Sequence, residues 1–496
     1  MKPHKRKFVL IYISLSVFIF ILIFASCKTE NNDGNTQKTP DSDSSLQETE
    51  AEEKPAEISD NLPEDLDFAG TTVTVIQKCY DISWPCCREF FAEAENGDIF
   101  NDTIYRRNMT VEERLNVKFN LILEDPGSLP NKVRASVSSG DHTYDLIAAM
   151  CGNIGTLAVD GLLMNLRNVP HIDFDKPWWN RQIVNGASVG NKLYFIAGDA
   201  NLSVLMSSML LFVNKKLIEE NALPDIYEVV IDGKWTIDYM SDYIKGIGKD
   251  LNGDGVMDKN DLFGYVTPGD NFINSFMEGA GIQLTKIGDD GKPYFDMPVE
   301  RMSGLADKIG DFLYNNPNTF ISPGNDLEVD MFRNNQALFL PYAVQDAVYW
   351  KDMEEDFGMI PYPKYDESQE KYYSSVWTGC SMFCIPANSV TPEMAGAFME
   401  AMSSESYRTT TPTYFDIVLK LKEARDETTS KMLDIIRDGA YIDFSTIFNA
   451  QLGGPWGALT GSIMGKTNNF ASWYEKNAPR IQKAMDTLLE KMENIE

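Results

Sequence analysis

Tyr144-Asp145-Leu146-Ile147-Ala148-Ala149-Met150 decides the fold class, because its last five residues are apolar without interruption. An unbroken apolar run of strand length is what a parallel sheet buries on both faces. Working outward, Lys132 to Ser138 predicts a short helix before it, and Val117-Lys118-Phe119-Asn120-Leu121-Ile122-Leu123 alternates as a strand before that. Ile104, Val111 and Leu115 set among charges predict an exposed helix from Ile104 to Asn116. Gly70-Thr71-Thr72-Val73-Thr74-Val75-Ile76 is the β-rich opening strand. The order β-α-β-α-β implies a parallel, doubly wound α/β lobe, with ligands expected beyond the carboxyl ends of its strands.

Lys2, Lys5, Arg6 and Lys7 precede an uncharged run from Phe8 to Phe24, and Ala25-Ser26-Cys27 closes it. A basic start, an apolar stretch and small residues describe an export signal. The cysteine after Ala-Ser resembles a bacterial lipoprotein signal, which implies that Cys27 is lipidated and becomes the mature N-terminus. Phe24 departs from the leucine usual in that signal. The alternative is a plain transmembrane anchor, for which seventeen apolar residues are at the short limit. Either reading tethers the chain to a membrane on its extracytoplasmic face. Residues 27–67 then form a tether. Lys28 to about Asn61 is rich in Asn, Asp, Ser, Thr, Glu and Pro and is expected to be disordered. From Phe68 onward the chain is long enough for two lobes with substantial cores.

The chain carries 44 Lys+Arg against 74 Asp+Glu. Removing residues 1–26 takes away four basic residues and no acidic one, which leaves a net charge of −34. That excludes nucleic acid and anionic lipid surfaces as partners. Six cysteines remain beyond Cys27, an even number outside the cell, which permits disulfides without fixing a pairing. Cys380 and Cys384 fall in a hydrophobic run and are expected to be buried thiols. Only His142 and His171 remain after the signal, both in loop sequence, so a nucleophile–histidine pair has little to draw on. No catalytic residue is assigned. Paired carboxylates leave an anchored polysaccharide-active enzyme as the alternative.

Several motifs in order now identify a family resemblance. Leu115-Asn116-Val117-Lys118-Phe119, Tyr144-Asp145-Leu146-Ile147 and Gly161-Leu162-Leu163-Met164-Asn165-Leu166 resemble the first lobe of extracellular solute-binding proteins. More closely, they resemble family 1, the sugar-binding subunits of ABC importers. Gly190-Asn191-Lys192-Leu193-Tyr194-Phe195-Ile196 resembles the first crossing strand of that family, and Leu211-Phe212-Val213-Asn214-Lys215 the strand that follows. Trp235-Thr236-Ile237-Asp238 resembles its helix start, with Thr236 as N-cap. Asn335-Gln336-Ala337-Leu338-Phe339 and Phe357-Gly358-Met359-Ile360-Pro361 complete the series, with Asn335 in place of the usual glycine. The resemblance implies a two-lobe α/β fold of the periplasmic-binding-protein type II kind, hinged by crossing segments. Residues 68–200 and 358–403 would form lobe one, and 201–357 and 404–496 lobe two. It implies a non-enzymatic, lipid-anchored subunit that captures a carbohydrate or other small solute between its lobes and delivers it to the importer's membrane subunits. A sensor subunit on the same fold is a further alternative.

Asp250-Leu251-Asn252-Gly253-Asp254-Gly255-Val256-Met257-Asp258-Lys259-Asn260-Asp261 places oxygen donors at positions 1, 3, 5, 9 and 12 with glycine at 6. This is the spacing of an EF-hand-type calcium loop. Asp250, Asn252, Asp254, Asp258 and Asp261 would supply side chains and Val256 its carbonyl, for a structural calcium. The alternative is an acidic turn without metal. Sugar recognition needs flat aromatics against C–H faces and carboxylates or amides for hydroxyls. Polar or aromatic residues at strand ends and crossings nominate Asn153, Asp199, Tyr342, Trp377 and Trp456 as ligand-binding residues, each with plain packing as the alternative. Asp199 is nominated by the family resemblance as well, and Trp456 by its glycine-rich surroundings. Trp84 and the Trp178-Trp179 pair are expected to pack within a lobe.

Overall fold

Residues 71–150 fold as the expected β-α-β-α-β unit in the computed structural model of the protein, which describes residues 58–269, 272–350, 353–420 and 427–495. Cys27 and most of the expected tether lie outside the described residues. Strand Thr71–Lys78 pairs in parallel with Val117–Glu124, starting at Thr71 opposite Val117, and also with Leu146–Met150. The run that opened the sequence reading is thus an inner strand. Its other edge is covered by Ser381–Cys384, antiparallel, with Ser381 opposite Met150. Cys380 and Cys384 are buried there as free thiols.

The helix between the first two strands spans Ile99–Leu115, longer than the periodicity predicted. Asp98 caps it by accepting from Asn101 N, and Asn116 ends it in the left-handed region at φ 47°. Its face of Ile104, Val111 and Leu115 is buried, which is what aligns the two strands. The second helix spans Leu129–Ser139 and stops at Gly140, φ 67°.

A second, mixed sheet has the order Phe357–Ile360, Met209–Asn214, Ala337–Ala343, Phe263–Thr267, Thr319–Ile321. Local chemistry explains the motifs. Asn214 Oδ1 accepts from Leu217 N (3.1 Å), capping the helix Lys215–Glu220. Thr236 Oγ1 likewise accepts from Tyr239 N (3.2 Å), and the buried Trp235 donates its indole hydrogen to Pro361 O (2.9 Å). The chain crosses between sheets twice. Ile196 bridges Phe383 in the first sheet before Asp199, and Ser208 bridges Val376 before the strand Met209–Asn214.

Two expected boundaries shift. Phe357–Ile360 is an edge strand of the second sheet, Gly358 opposite Val213, so lobe one resumes after residue 360 and not at 358. Gly358 is required there, since a Cβ would lie 2.3 Å from Tyr227 Oη. The tether also ends earlier than residue 67. Asp60 is buried, paired with Arg114 (Nη2–Oδ1 2.8 Å) and bonded by Ser404 Oγ (3.0 Å). Its partners lie up to 344 positions away, so a local reading of a polar stretch misses them. Trp178 and Trp179 are buried as expected, both indoles donating to Glu400 (3.1 and 2.9 Å).

Candidate functional site

Tyr342, Trp377 and Trp456 come together around one cavity of about 670 Å³, joined by Trp84, Asp346 and Tyr349. Each arrives from a different part of the chain. Tyr342 lies near the end of the second-sheet strand Ala337–Ala343. Its hydroxyl donates to Glu328 Oε1 (2.9 Å), and its ring packs 5.3 Å from Phe272 and 5.6 Å from Trp350. Trp377 belongs to the second crossing, where its amide donates to Ser207 O (2.9 Å). Gly379 is needed beside it, because a Cβ would sit 2.5 Å from the Trp377 ring. Trp84 precedes the short turn Pro85–Cys87 and faces Trp377 with ring centroids 6.2 Å apart.

Trp456 is presented by Gly453 and Gly454, both left-handed at φ 81° and 82°, a conformation that favours glycine. Its amide donates to Asn449 Oδ1 (3.1 Å) and its indole Nε1 to Glu278 Oε1 (3.3 Å). Glu278 is buried behind the ring on the helix Ile273–Gly279, and that burial raises its pKa to about 7. Asp346 follows the Tyr342 strand, its Oδ2 accepting from Ala343 N (2.9 Å). Desolvation raises its pKa to about 7 as well. The result is an aromatic chamber with acceptors and a few hydroxyls, suited to a polar ligand with apolar faces.

Trp84, expected to be packing, is instead 43% exposed and lines the cavity, because Tyr80 and Trp377 hold it at the mouth rather than in a core. Asp346 and Glu278 were missed. The strand-end argument that nominated Tyr342 reaches Asp346 only if it is extended by one turn, and nothing local marks a buried carboxylate behind Trp456.

Asn153 and Asp199 do not join this cavity. Met150 runs straight into the helix Cys151–Val159, and Asn153 in its first turn donates to Pro126 O (2.6 Å). Asp199 lines a separate cavity of about 400 Å³ with Trp178, Tyr407 and Arg437. There it accepts from Thr411 Oγ1 (2.8 Å), and burial raises its pKa to about 7. The crossing segment turns its carboxylate away from the aromatic chamber.

In the loop from Asp250 to Asp261, Gly253 and Gly255 take φ 75° and 81°. Asp250 accepts from the amides of Gly253 (2.7 Å) and Gly255 (2.8 Å). Asp254 accepts from Val256 N (2.8 Å), and Asp258 from Asn260 N (2.8 Å). Asn252 Oδ1 accepts from Asp254 N (2.9 Å). Asp261 is buried and ties the loop's halves, accepting from Leu251 N (2.9 Å) and Asp258 N (2.8 Å). All donors are hard oxygens, which fits calcium in kind. Among the described residues, however, no three His, Cys, Asp or Glu side chains are gathered to hold a metal.

The sequence profile of a bacterial extracellular solute-binding protein matches residues 110–415. No curated protein matches the chain. Among solved structures, the fold is similar to a cyclo/maltodextrin-binding protein complexed with maltotetraose, with TM-score 0.53 and 14% identity over 86% of this chain and 98% of that one. It is similar also to a cyclic alpha-maltosyl-1,6-maltose binding protein from Arthrobacter globiformis, at 0.53 and 14% over 86% and 100%. An extracellular solute-binding protein from Staphylococcus aureus in complex with maltose aligns at 0.52 and 12%, over 85% and 98%. At these identities the likeness is one of fold: the two-lobe α/β architecture.

Proposed function

The chain belongs to the bacterial extracellular solute-binding proteins, a binding family that works outside the cytoplasm and not a catalytic one, and from that premise we propose that its aromatic cavity captures a saccharide. One observation carries this reading. Trp84, Tyr342, Trp377 and Trp456 converge from segments far apart in sequence, with Asp346 and Ser275 among them. Aromatic faces take the C–H faces of a pyranose, and carboxylates and hydroxyls take its hydroxyl hydrogens. The maltotetraose and maltose bound by two of the fold relatives are in keeping with this.

Closure of two lobes over the ligand follows from contacts drawn from both sides of the crossings: Trp84 precedes the first crossing, and Tyr342 stands on the second sheet with Asp346 in the turn that follows its strand. A ligand touching both sides favours the closed arrangement over the open one. Cys27 is proposed as the lipidated anchor, on the Ala25-Ser26-Cys27 motif. The membrane subunits of an ABC importer are proposed to receive the loaded form. Calcium in the loop Asp250 to Asp261 is proposed as a structural brace, supported by the donor spacing and the buried Asp261. Asp250, Asp254 and Asp258 would turn their remaining lone pairs toward the ion.

The test is a saccharide panel against the detergent-solubilised full chain, read by thermal shift and by reducing-end assay. Ligand-dependent stabilisation with no new reducing ends is expected. New reducing ends, or no stabilisation by any saccharide, would overturn the proposal.

A further inference from the structure

Among the described residues lining the aromatic cavity there is no lysine, arginine or histidine, while Asp326 and Asp346 both face it. Such a balance selects on charge. Asp346 is half-buried, and among the described residues the one hydrogen bond it receives is from the neutral amide of Ala343. The titratable groups that share its field are Tyr342, Tyr349 and Tyr414, all acids, and Asp326 acts on the first two. No base among the described residues offsets it. A carboxylate taken out of water without a counter-charge is costly, so it either holds a proton or waits for a cation.

Asp326 adds an independent sign of built geometry. Gly324, Asn325 and Asp326 run consecutively through the left-handed region, at φ 90°, 63° and 62°. Asn and Asp enter that region most readily after glycine, so the turn sets the direction in which the Asp326 side chain leaves the backbone. Here it delivers an exposed carboxylate, capping no amide of its own helix, to the cavity mouth. Trp84, Phe272, Tyr342, Tyr349, Trp377 and Trp456 add rings to the walls, and ring faces attract cations.

We infer that the ligand of this cavity carries a positive charge, as an unacylated amine on a saccharide, with Asp346 as its counter-ion and Asp326 as an outer acidic contact. The inference rests on the saccharide reading above and narrows it. Uronate, sulfated and phosphorylated saccharides are disfavoured, since among the described residues their anions would meet two carboxylates and no cation. The protein's net charge of −30 also favours association with cations over anions.

The experiment is calorimetry on the full chain in detergent at pH 7.5 with two matched series. One is β-1,4-linked and gluco-configured, the other α-1,4-linked and galacto-configured. Each offers the free-amine oligomer, its N-acetylated form and the neutral parent sugar. The amine member of at least one series should bind about tenfold or more tightly than its two partners, the scale of one desolvated cation–aromatic and ion contact. Asp346→Asn retains an acceptor for Ala343 N and should bring the three within about twofold while keeping the melting temperature. Should that variant not fold, Asp326→Asn at the exposed mouth should weaken amine binding alone, and more at low salt than at high. Neutral or acetylated members binding as tightly as the amine in both series would overturn the charge inference and leave saccharide capture standing. Silence from every saccharide would overturn both.

Discussion

Trp456→Ala is the most informative single change, because the ring has two separable roles. One is the face it offers to the cavity, and stacking of this kind is worth about 1–3 kcal/mol. At about 1.4 kcal/mol per tenfold, the dissociation constant should rise by between about fivefold and about 150-fold. The other role is the Nε1 hydrogen bond to Glu278, long at 3.3 Å. Trp456→Phe keeps an aromatic face and loses that bond, so it should lose no more than about 1 kcal/mol, roughly fivefold. The backbone anchor to Asn449 and the turn at Gly453 and Gly454 are untouched in both variants, so folding is expected to hold. Calorimetric titration with the saccharide found by thermal shift measures both, and near-ultraviolet circular dichroism checks the fold. A well-folded Ala variant binding within twofold of the native chain would refute the site. A Phe variant as impaired as the Ala variant would show that the ring face is not what binds.

Three further outcomes are expected. Cys27→Ser should release the protein or leave its signal uncleaved; a variant that still partitions into detergent with a cleaved N-terminus would sink lipidation. Chelation with EGTA should lower the melting temperature and Asp254→Ala abolish that sensitivity, whereas no effect and no metal by elemental analysis would leave the loop an acidic turn. Stability should fall as pH rises from about 5 to 8. Burial raises Glu400 to about 8 and Asp199, Glu278 and Asp346 to about 7, so each favours folding while protonated and loses that contribution as pH passes its folded-state pKa. Carboxyls lowered on folding, such as Asp60, where Arg114 outweighs burial, act in the opposite sense but only below about 4. Glu400→Gln, measured by thermal melts across that range, should flatten the slope, and a melting temperature that is level or climbs would refute it.

The strands and the first lobe's topology were legible because hydrophobic patterning is a local property: the alternation of Val73 and Val75 and the apolar run 146–150 need no distant information. The placement of Tyr342 near a strand end and of Trp377 and Trp456 beside glycines was legible for a related reason, since such features are read within a few residues. Asp199 was not. The residue after a crossing strand can turn to either side of the hinge, and the choice here is made by Thr411, 212 positions away. Asp60, the sheet to which the strand Phe357–Ile360 belongs and the Glu278 support of Trp456 escaped in the same way, each defined by a partner on a remote segment.

The first sheet also sets a timetable for the chain. Its covering strand Ser381–Cys384 meets Leu146–Met150 across a gap of 237 positions, from Ile147 to Cys384. Closing so long a loop costs about 5 kcal/mol of chain entropy, against about 1 kcal/mol for a hairpin. Until residue 384 is available, the strand Leu146–Met150 presents a bare, wholly apolar edge, the kind of surface that recruits other chains. Were the chain delivered across a membrane from its N-terminus, as the proposed signal requires, its first lobe would stay unfinished while the second was still arriving. The rate at which such a chain matures would then be governed less by either lobe than by the return of the chain to the first one.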